Sequence, residues 1–407
     1  MNDLTLPRTS VDSPRVGGTQ PHPSPVLESR LPRVGTTIFT VMSALASETG
    51  AVNLGQGFPD FNCDPALVNL VGQAMHDGLN QYPPMAGVAS LRQAISSKIA
   101  TLYGAHYDWN TEITVTAGAT QAIFDAILCC VRPGDEVIVL EPAYDSYIPN
   151  ILVAGAIPVT VSVGADFRVR WDAVAAAITP RTRAILVNSP NNPSGRILQD
   201  EDLATLEALA VEHDLIVISD EVYEHMVYDG QPHRSACRSA RLAARSFIIS
   251  SFGKTYHVTG WKVAYCAAPA SLMSEFRKIH QFDTFTVNTP VQHGLAAYMA
   301  DPTPYLTLGS FYQKKRDLFR EGLAKTRFGL RPSEGTYFQL VDYGSLSVPE
   351  RTLPEAEFAQ WLTREIGVAA IPMSAFYDQP CEQGVVRFCF AKKDETLKLA
   401  LERLARL

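Results

Sequence analysis

The chain has 407 residues, 46% of them hydrophobic and 19% charged, enough apolar material for two to three domains' worth of core and too much for a disordered bulk. Lys and Arg total 35 against 42 Asp and Glu, a formal charge of −7, so the basic surface that nucleic-acid partners require is missing. Cys63, Cys129, Cys130, Cys237, Cys266, Cys381 and Cys389 form no CxxC pair; this excludes a zinc ribbon or disulfide scaffold and fits reduced thiols in a cytoplasmic enzyme without a metal site.

Residues 1–30 carry Pro7, Pro14, Pro21, Pro23 and Pro25 among Ser, Thr and Gly and read as a flexible leader. They lack the apolar core of a secretory signal. No stretch of the chain approaches 18 uninterrupted apolar residues, so no membrane partner is expected. Residues 31–55 read as an N-terminal arm grouped with a smaller domain, although the segment 36–54 is expected to lie against the large sheet.

Residues 56–300 read as the larger domain. From about 112 to 270 a short β-branched run, a polar or Gly-rich turn and a helical stretch recur. A strand over 113–116 leads through Ala117-Gly118-Ala119-Thr120 into a helix over 121–131, and a strand over 136–140 ends at Glu141-Pro142. A strand over 184–187 runs into Asn188-Ser189-Pro190-Asn191-Asn192-Pro193-Ser194-Gly195. Strands over 215–219 and 247–250 end at Asp220-Glu221 and at Ser251-Phe252-Gly253-Lys254. Continuous apolar strands alternating with helices predict an α/β class with a mostly parallel sheet covered on both faces. Past Asp301-Pro302-Thr303-Pro304 the pattern changes. Helices over 309–326, 355–366 and 394–407, the last capped by Asp394, and strands over 336–341 and 385–390 make residues 301–407 a smaller α+β domain.

Ligands of open parallel sheets bind beyond the carboxyl ends of the strands, and the polar residues above lie at five such ends. The small-residue turn at Gly118 offers a phosphate free N–H groups at a helix start. Asp220 closes an apolar strand, where a carboxylate is costly unless paired. Lys254 follows another such strand, and a desolvated amine is the nucleophile for imine chemistry. Singly, each has an ordinary structural explanation. Gly253-Lys254-Thr255 is no nucleotide P-loop, since Ile248 stands where its glycine belongs. Gly55-Gln56-Gly57 lacks the third glycine of a dinucleotide fingerprint, and Glu224-His225 completes no HExxH site.

Jointly, a lysine, an anion cradle, an acid and a hydroxyl or amide donor fit pyridoxal phosphate. The segment Ser251-Phe252-Gly253-Lys254-Thr255-Tyr256-His257-Val258-Thr259-Gly260-Trp261-Lys262 resembles the lysine signature of fold-type-I aminotransferases, classes I and II. The Asn-x-Pro-x-Asn-Pro-x-Gly run, Ser219-Asp220-Glu221-Val222-Tyr223 and Val386-Arg387-Phe388 occur in that family's order. Leu54-Gly55-Gln56-Gly57-Phe58-Pro59-Asp60-Phe61 and Ile38-Phe39-Thr40 resemble its methionine and kynurenine/glutamine branch.

The resemblance implies a large pyridoxal-phosphate domain, a smaller one, and a homodimer with shared sites. It implies that Lys254 holds the cofactor and shuttles a proton, that Asp220 pairs with the ring nitrogen, and that Asn192 and Tyr223 donate to the ring oxygen. Tyr144 would stack on the ring. Ala119, Thr120, Ser251 and Lys262, with Tyr82 from the other subunit, would hold the phosphate. Arg387 would bind the substrate carboxylate beside Gly57 and Asn192, with Phe39 and the neighbouring subunit's copy of Phe285 forming apolar walls. The implied activity is amino-group transfer from a neutral amino acid (methionine, aromatic or kynurenine-like) to a 2-oxo acid by a ping-pong mechanism. A carbon–sulfur β-lyase uses the same lysine, acid and arginine, and a non-catalytic regulator of this fold ranks last because Lys254 is present.

Overall fold

The computed structural model describes residues 27–407, so the leader expectation lies, up to residue 26, outside the described residues. Strands form where β-branched runs are buried on both faces. They are β1 (Ile113–Thr116), β2 (Glu136–Glu141), β3 (Ile157–Ser162), β4 (Thr182–Asn188), β5 (Ile216–Asp220), β6 (Ser246–Ser251) and β7 (Ala264–Ala267). They make one sheet in the order β1-β7-β6-β5-β4-β2-β3. All neighbours from β6 to β3 pair in parallel. Only β7 is antiparallel, inserted between β1 and β6.

The five strands read from the sequence are present, and two more appear that it concealed. Ala264-Tyr265-Cys266-Ala267 is short and alanine-rich. β3 carries Pro158, which an edge strand tolerates because one side of it needs no ladder donors. Separate apolar clusters, one around Ile95, Val115, Val187 and Leu206 and the other around Ile127, Leu186, Phe247 and Phe276, are buried beside the sheet.

A second, antiparallel sheet contains β8 (Gly329–Leu330), β9 (Phe338–Asp342), β10 (Ile371–Pro372) and β11 (Val385–Cys389). Helices Leu308–Leu323 and Asp394–Leu404 cover it, with Tyr312, Phe319, Leu397 and Leu404 packing in one core with Phe388 of the sheet. The arm helix Ile38–Thr49 is capped by the Thr37 hydroxyl and stopped by Gly50 at φ 64°. Its Met42 and Leu45 join Leu340, Ile371, Met373 and Phe376 in the core beside this second sheet. The expectation that 36–54 lies against the large sheet is therefore corrected: its apolar stripe faces the smaller one, and Val52–Asn53 pairs with Val368–Ala369.

Three local expectations also change. Lys393, not Asp394, occupies the last helix's cap position, and its N–H donates to Asp60 Oδ1 at 2.6 Å, while Asp394 pairs with Lys315 at 2.8 Å. Thr336 has φ 63°, so the strand begins at Phe338. The helix predicted over 355–366 is α-helical over Glu355–Trp361 and continues as a π turn to Ile366.

Candidate active site

A cavity of about 770 Å³ opens where the parallel strands end. β7 runs backwards, so its start delivers Lys262 to the rim where β6 delivers Ser251 and Lys254. Phe39, Gly57, Ala119, Thr120, Tyr144, Asn192, Asp220, Tyr223, Ser251, Lys254, Lys262 and Arg387 all line this one space.

Lys254 sits in the short helix after β6, whose first turn is tied by the Ser251 hydroxyl accepting from Gly253 N–H at 3.2 Å. Its amine donates to the Tyr337 hydroxyl at 3.0 Å and approaches the Gly57 carbonyl at 3.4 Å. Burial pushes the amine down to about 8, with the Arg387 charge acting in the same direction. The Tyr337 hydroxyl donates in turn to Gly57 O. Gly57 also has a packing reason to be glycine: a Cβ there would sit 3.0 Å from Phe338.

Asp220 is 4% exposed. Its Oδ2 accepts from Tyr147 Oη at 2.6 Å and its Oδ1 from Val222 N–H at 3.2 Å. Burial nevertheless pushes the carboxyl up to about 6. Asn188, paired with Asp220 across β4 and β5, donates to the Asp220 carbonyl at 2.9 Å and accepts from Asn192 N–H at 2.8 Å. That link holds the Asn192 turn beside the acid. Tyr223 is buried with its ring centroid 5.6 Å from Lys254 Nζ, and Tyr144 meets Tyr147 edge-on at 5.8 Å.

On another wall, the helix Ala119–Cys130 starts after Gly118 (φ 87°) with no side-chain cap. Its first N–H groups are thus left for a ligand. A Cβ on Gly118 would lie 3.0 Å from Lys262 Nζ, so glycine is needed there both for its backbone angle and for the lysine's approach. Lys262 itself is left-handed, at φ 56°.

Arg387 is 1% exposed. It donates to Asn192 Oδ1 at 2.6 Å and to Gly55 O at 3.0 Å, and its Nε has no partner. Phe338, Phe376 and Phe39 rings surround it at 3.9, 4.9 and 5.4 Å. Among the described residues no carboxylate forms an ion pair with it. Burial draws its pKa down to about 10.

Tyr82 and Phe285 are not brought to this cavity. They are 81% and 44% exposed and pack edge-on against each other at 5.4 Å. Residues missed in the sequence include Tyr147, Tyr337, Phe338 and Asp145. Tyr147 opens the short helix Tyr147–Val153, and no motif in the sequence marks it. Tyr337 gives no local signal, because only the second sheet's packing brings it to Lys254.

The donor set fits pyridoxal 5′-phosphate. An amine with a lowered pKa and a desolvated acid share one cavity with a cradle of uncapped N–H groups, a hydroxyl and Lys262. The orphaned Arg387 Nε leaves room for a carboxylate as well.

Comparison with known proteins agrees with this chemistry. The methionine aminotransferase of Escherichia coli (strain K12) is 49% identical over 382 residues, covering 93% of this chain and 98% of that relative. Kynurenine–oxoglutarate transaminase 3 of Rattus norvegicus is 35% identical over 404 residues, covering 92% and 88%. The solved structure of N-succinyldiaminopimelate aminotransferase from Mycobacterium tuberculosis is 41% identical with a TM-score of 0.89, covering 94% of this chain and 100% of that one. Residues 49–404 match the family of class I and II aminotransferases, and with the lysine, acid, cradle and arginine converging on one cavity, the chain belongs to that family.

Proposed function

We propose that the protein transfers the amino group of a neutral amino acid, methionine or an aromatic or kynurenine-like one, to a 2-oxo acid in a ping-pong cycle, as a cytoplasmic homodimer. Amino-group transfer is also what its relatives are named for, so the carbon–sulfur lyase alternative is not favoured. The observation that carries the reading is the buried, carboxylate-free Arg387 in the same cavity as Lys254 and Asp220.

The cofactor is pyridoxal 5′-phosphate, which when bound supplies an electron sink for charge developing at the substrate Cα. Lys254 holds it and then moves the Cα proton, a task suited to an amine lowered to about 8. Asp220, its Oδ2 kept in place by Tyr147, would pair with the ring nitrogen. Arg387 occupies Asn192 Oδ1, so the amide's N–H₂ is what Asn192 offers the ring oxygen, alongside the Tyr223 hydroxyl. Ala119, Thr120, Ser251 and Lys262 would hold the phosphate, and Tyr144 would stack on the ring. Arg387 takes the substrate carboxylate bidentately beside Gly57. Exposed in their own chain, Tyr82 and Phe285 reach the neighbouring subunit's site. The arm 31–55 and residues 301–407 act as a small domain against a large one at 56–300.

The cations lining the described cavity are Lys254, Lys262 and Arg387. With these engaged, a side-chain carboxylate finds no partner and would be buried at a cost. Phe39, Phe338 and Tyr144 instead offer apolar and sulfur–aromatic contacts. The test is kcat/KM across a donor panel. Methionine and phenylalanine are expected ahead of aspartate, and Lys254→Ala should be inactive with every donor. Aspartate ahead of methionine overturns the substrate assignment; near-wild-type turnover by Lys254→Ala overturns the mechanism.

A further inference from the structure

Behind the anion cradle, the layer between helices Ala119–Cys130 and Ala270–Asp283 is apolar, built from Ala122, Ile123, Ala126, Ile127, Met273 and Phe276. One polar set interrupts it. Asp125 and His280 are both 0% exposed. His280 Nδ1 lies 3.3 Å from Asp125 Oδ2 and 3.1 Å from Gln121 Nε2, and that amide nitrogen also donates to Asp125 Oδ2. Asp125 Oδ1 and His280 Nε2 have no hydrogen-bond partner. Two desolvated ionisable groups with half their bonding capacity unused are a poor way to stabilise a core, and apolar side chains of similar volume commonly do as well or better.

The set leads to the cavity. With its Nε2 held by Asp125, the Gln121 amide must turn its Oε1 the other way, and there it accepts from Ala117 N–H at 3.0 Å. Ala117 immediately precedes Gly118, the left-handed residue that opens the cradle. The same turn is closed by Gly118 N–H donating to Thr116 O at 2.8 Å. The orientation of one amide thus depends on the buried pair and in turn pins the backbone that presents the Ala119 and Thr120 N–H groups.

We propose that Asp125 and His280 are positioning residues for the phosphate cradle, acting through Gln121 on the Ala117–Gly118 turn. This rests on the reading of the cavity as a pyridoxal-phosphate site. The role is specific to the phosphate end: the set touches neither Lys254 nor Asp220, so binding of the ring and its aldehyde should not depend on it.

The full-length protein, freed of cofactor, is titrated with pyridoxal 5′-phosphate and separately with pyridoxal, which lacks the phosphate. For Asp125→Asn and His280→Phe, the dissociation constant for the phosphate form is expected to rise about tenfold, the scale of one lost hydrogen bond at a charged-ligand site. That for pyridoxal should stay within about twofold. Gln121→Leu removes the bond to Ala117 together with the amide's bond to Asp125 Oδ2 but leaves both members of the buried pair in place, so it decides the matter if the other variants fold poorly. It should show the same selective loss. A wild-type ratio of the two constants in Gln121→Leu, or an equal weakening of both ligands in the variants, overturns the proposal. Wild-type protein that fails to prefer the phosphate form overturns the cradle reading itself, so the two failures are distinguishable.

Discussion

Two buried cations in this molecule are treated in opposite ways. Lys98 meets Glu224 Oε1 at 2.6 Å with side chains 5% and 2% exposed. The same carboxylate accepts from Tyr265 at 3.1 Å and from the Tyr103 and Ser250 hydroxyls. Burial alone would raise the Glu224 pKa, but the Lys98 and His225 charges hold it well below the ordinary carboxylate value. Arg387 is as deeply buried, yet its partners are an amide oxygen, a carbonyl and three aromatic faces. Desolvation costs both groups. In the first case the chain supplies the countercharge; in the second it leaves that place for a ligand. A buried charge says little about function until its partners are known.

The contrast can be broken at either end. Glu224→Gln leaves Lys98 buried without a countercharge and is expected to cost about 3–5 kcal/mol of unfolding free energy, read from urea denaturation. A loss under about 1 kcal/mol would mean that Lys98 is not compensated by this pair. Arg387→Leu removes a cation with no protein countercharge, so stability should hold or rise while kcat/KM drops about 100-fold, the equivalent of about 2–3 kcal/mol for charged hydrogen bonds. Arg387→Lys keeps the charge without the fork and should fall between. If Arg387→Leu instead unfolds the protein at undiminished kcat/KM, the arginine belongs with Lys98.

The smallest effect is the pH dependence of the closed cluster. Burial, with Lys98 and His233 adding to it and Glu224 opposing, pushes His225 down to about 3 from an ordinary 6.5. Below pH 6.5 the unfolded chain therefore takes up a proton that the native protein refuses, and stability falls by about 2 kcal/mol between pH 6 and 4.5. Asp220, pushed up to about 6 from 3.8, has the opposite sign over that window, since there the native state binds the extra proton. Comparing His225→Gln with wild type cancels Asp220. The variant should show a shallower loss of stability between pH 6 and 4.5, and an unchanged slope would exonerate His225.

What could be read in the sequence was what recurs locally. β5 and β6 announce themselves as apolar runs, and each ends in the residue that faces the cavity, Asp220 or Ser251. Lys254, Asn192 and Arg387 sit in motifs long enough to be distinctive. Tyr337 and Tyr147 reach Lys254 and Asp220 from far along the chain or from an unmarked helix, so no window of neighbouring residues reveals them. Lys98 stands in no motif, and what makes its burial tolerable is Glu224, 126 residues away. Asp394 lies one residue inside the last helix, and it is Asp60, from a distant loop, that ties down the helix start by accepting from Lys393 N–H and the Thr396 hydroxyl.

The reversed course of β7 bears on how the protein can change in length. Lys254 stands at one end of the stretch 252–263 and Lys262 near the other, and both must arrive at the same rim. One residue inserted between them would shift the register of β7 against β1 and β6 together or swing an amine out of the cavity. The exposed turn at 230–232 carries no such double duty, and added residues there would be absorbed by solvent. Natural or engineered insertions should therefore accumulate at turns of that kind and be absent between the two lysines.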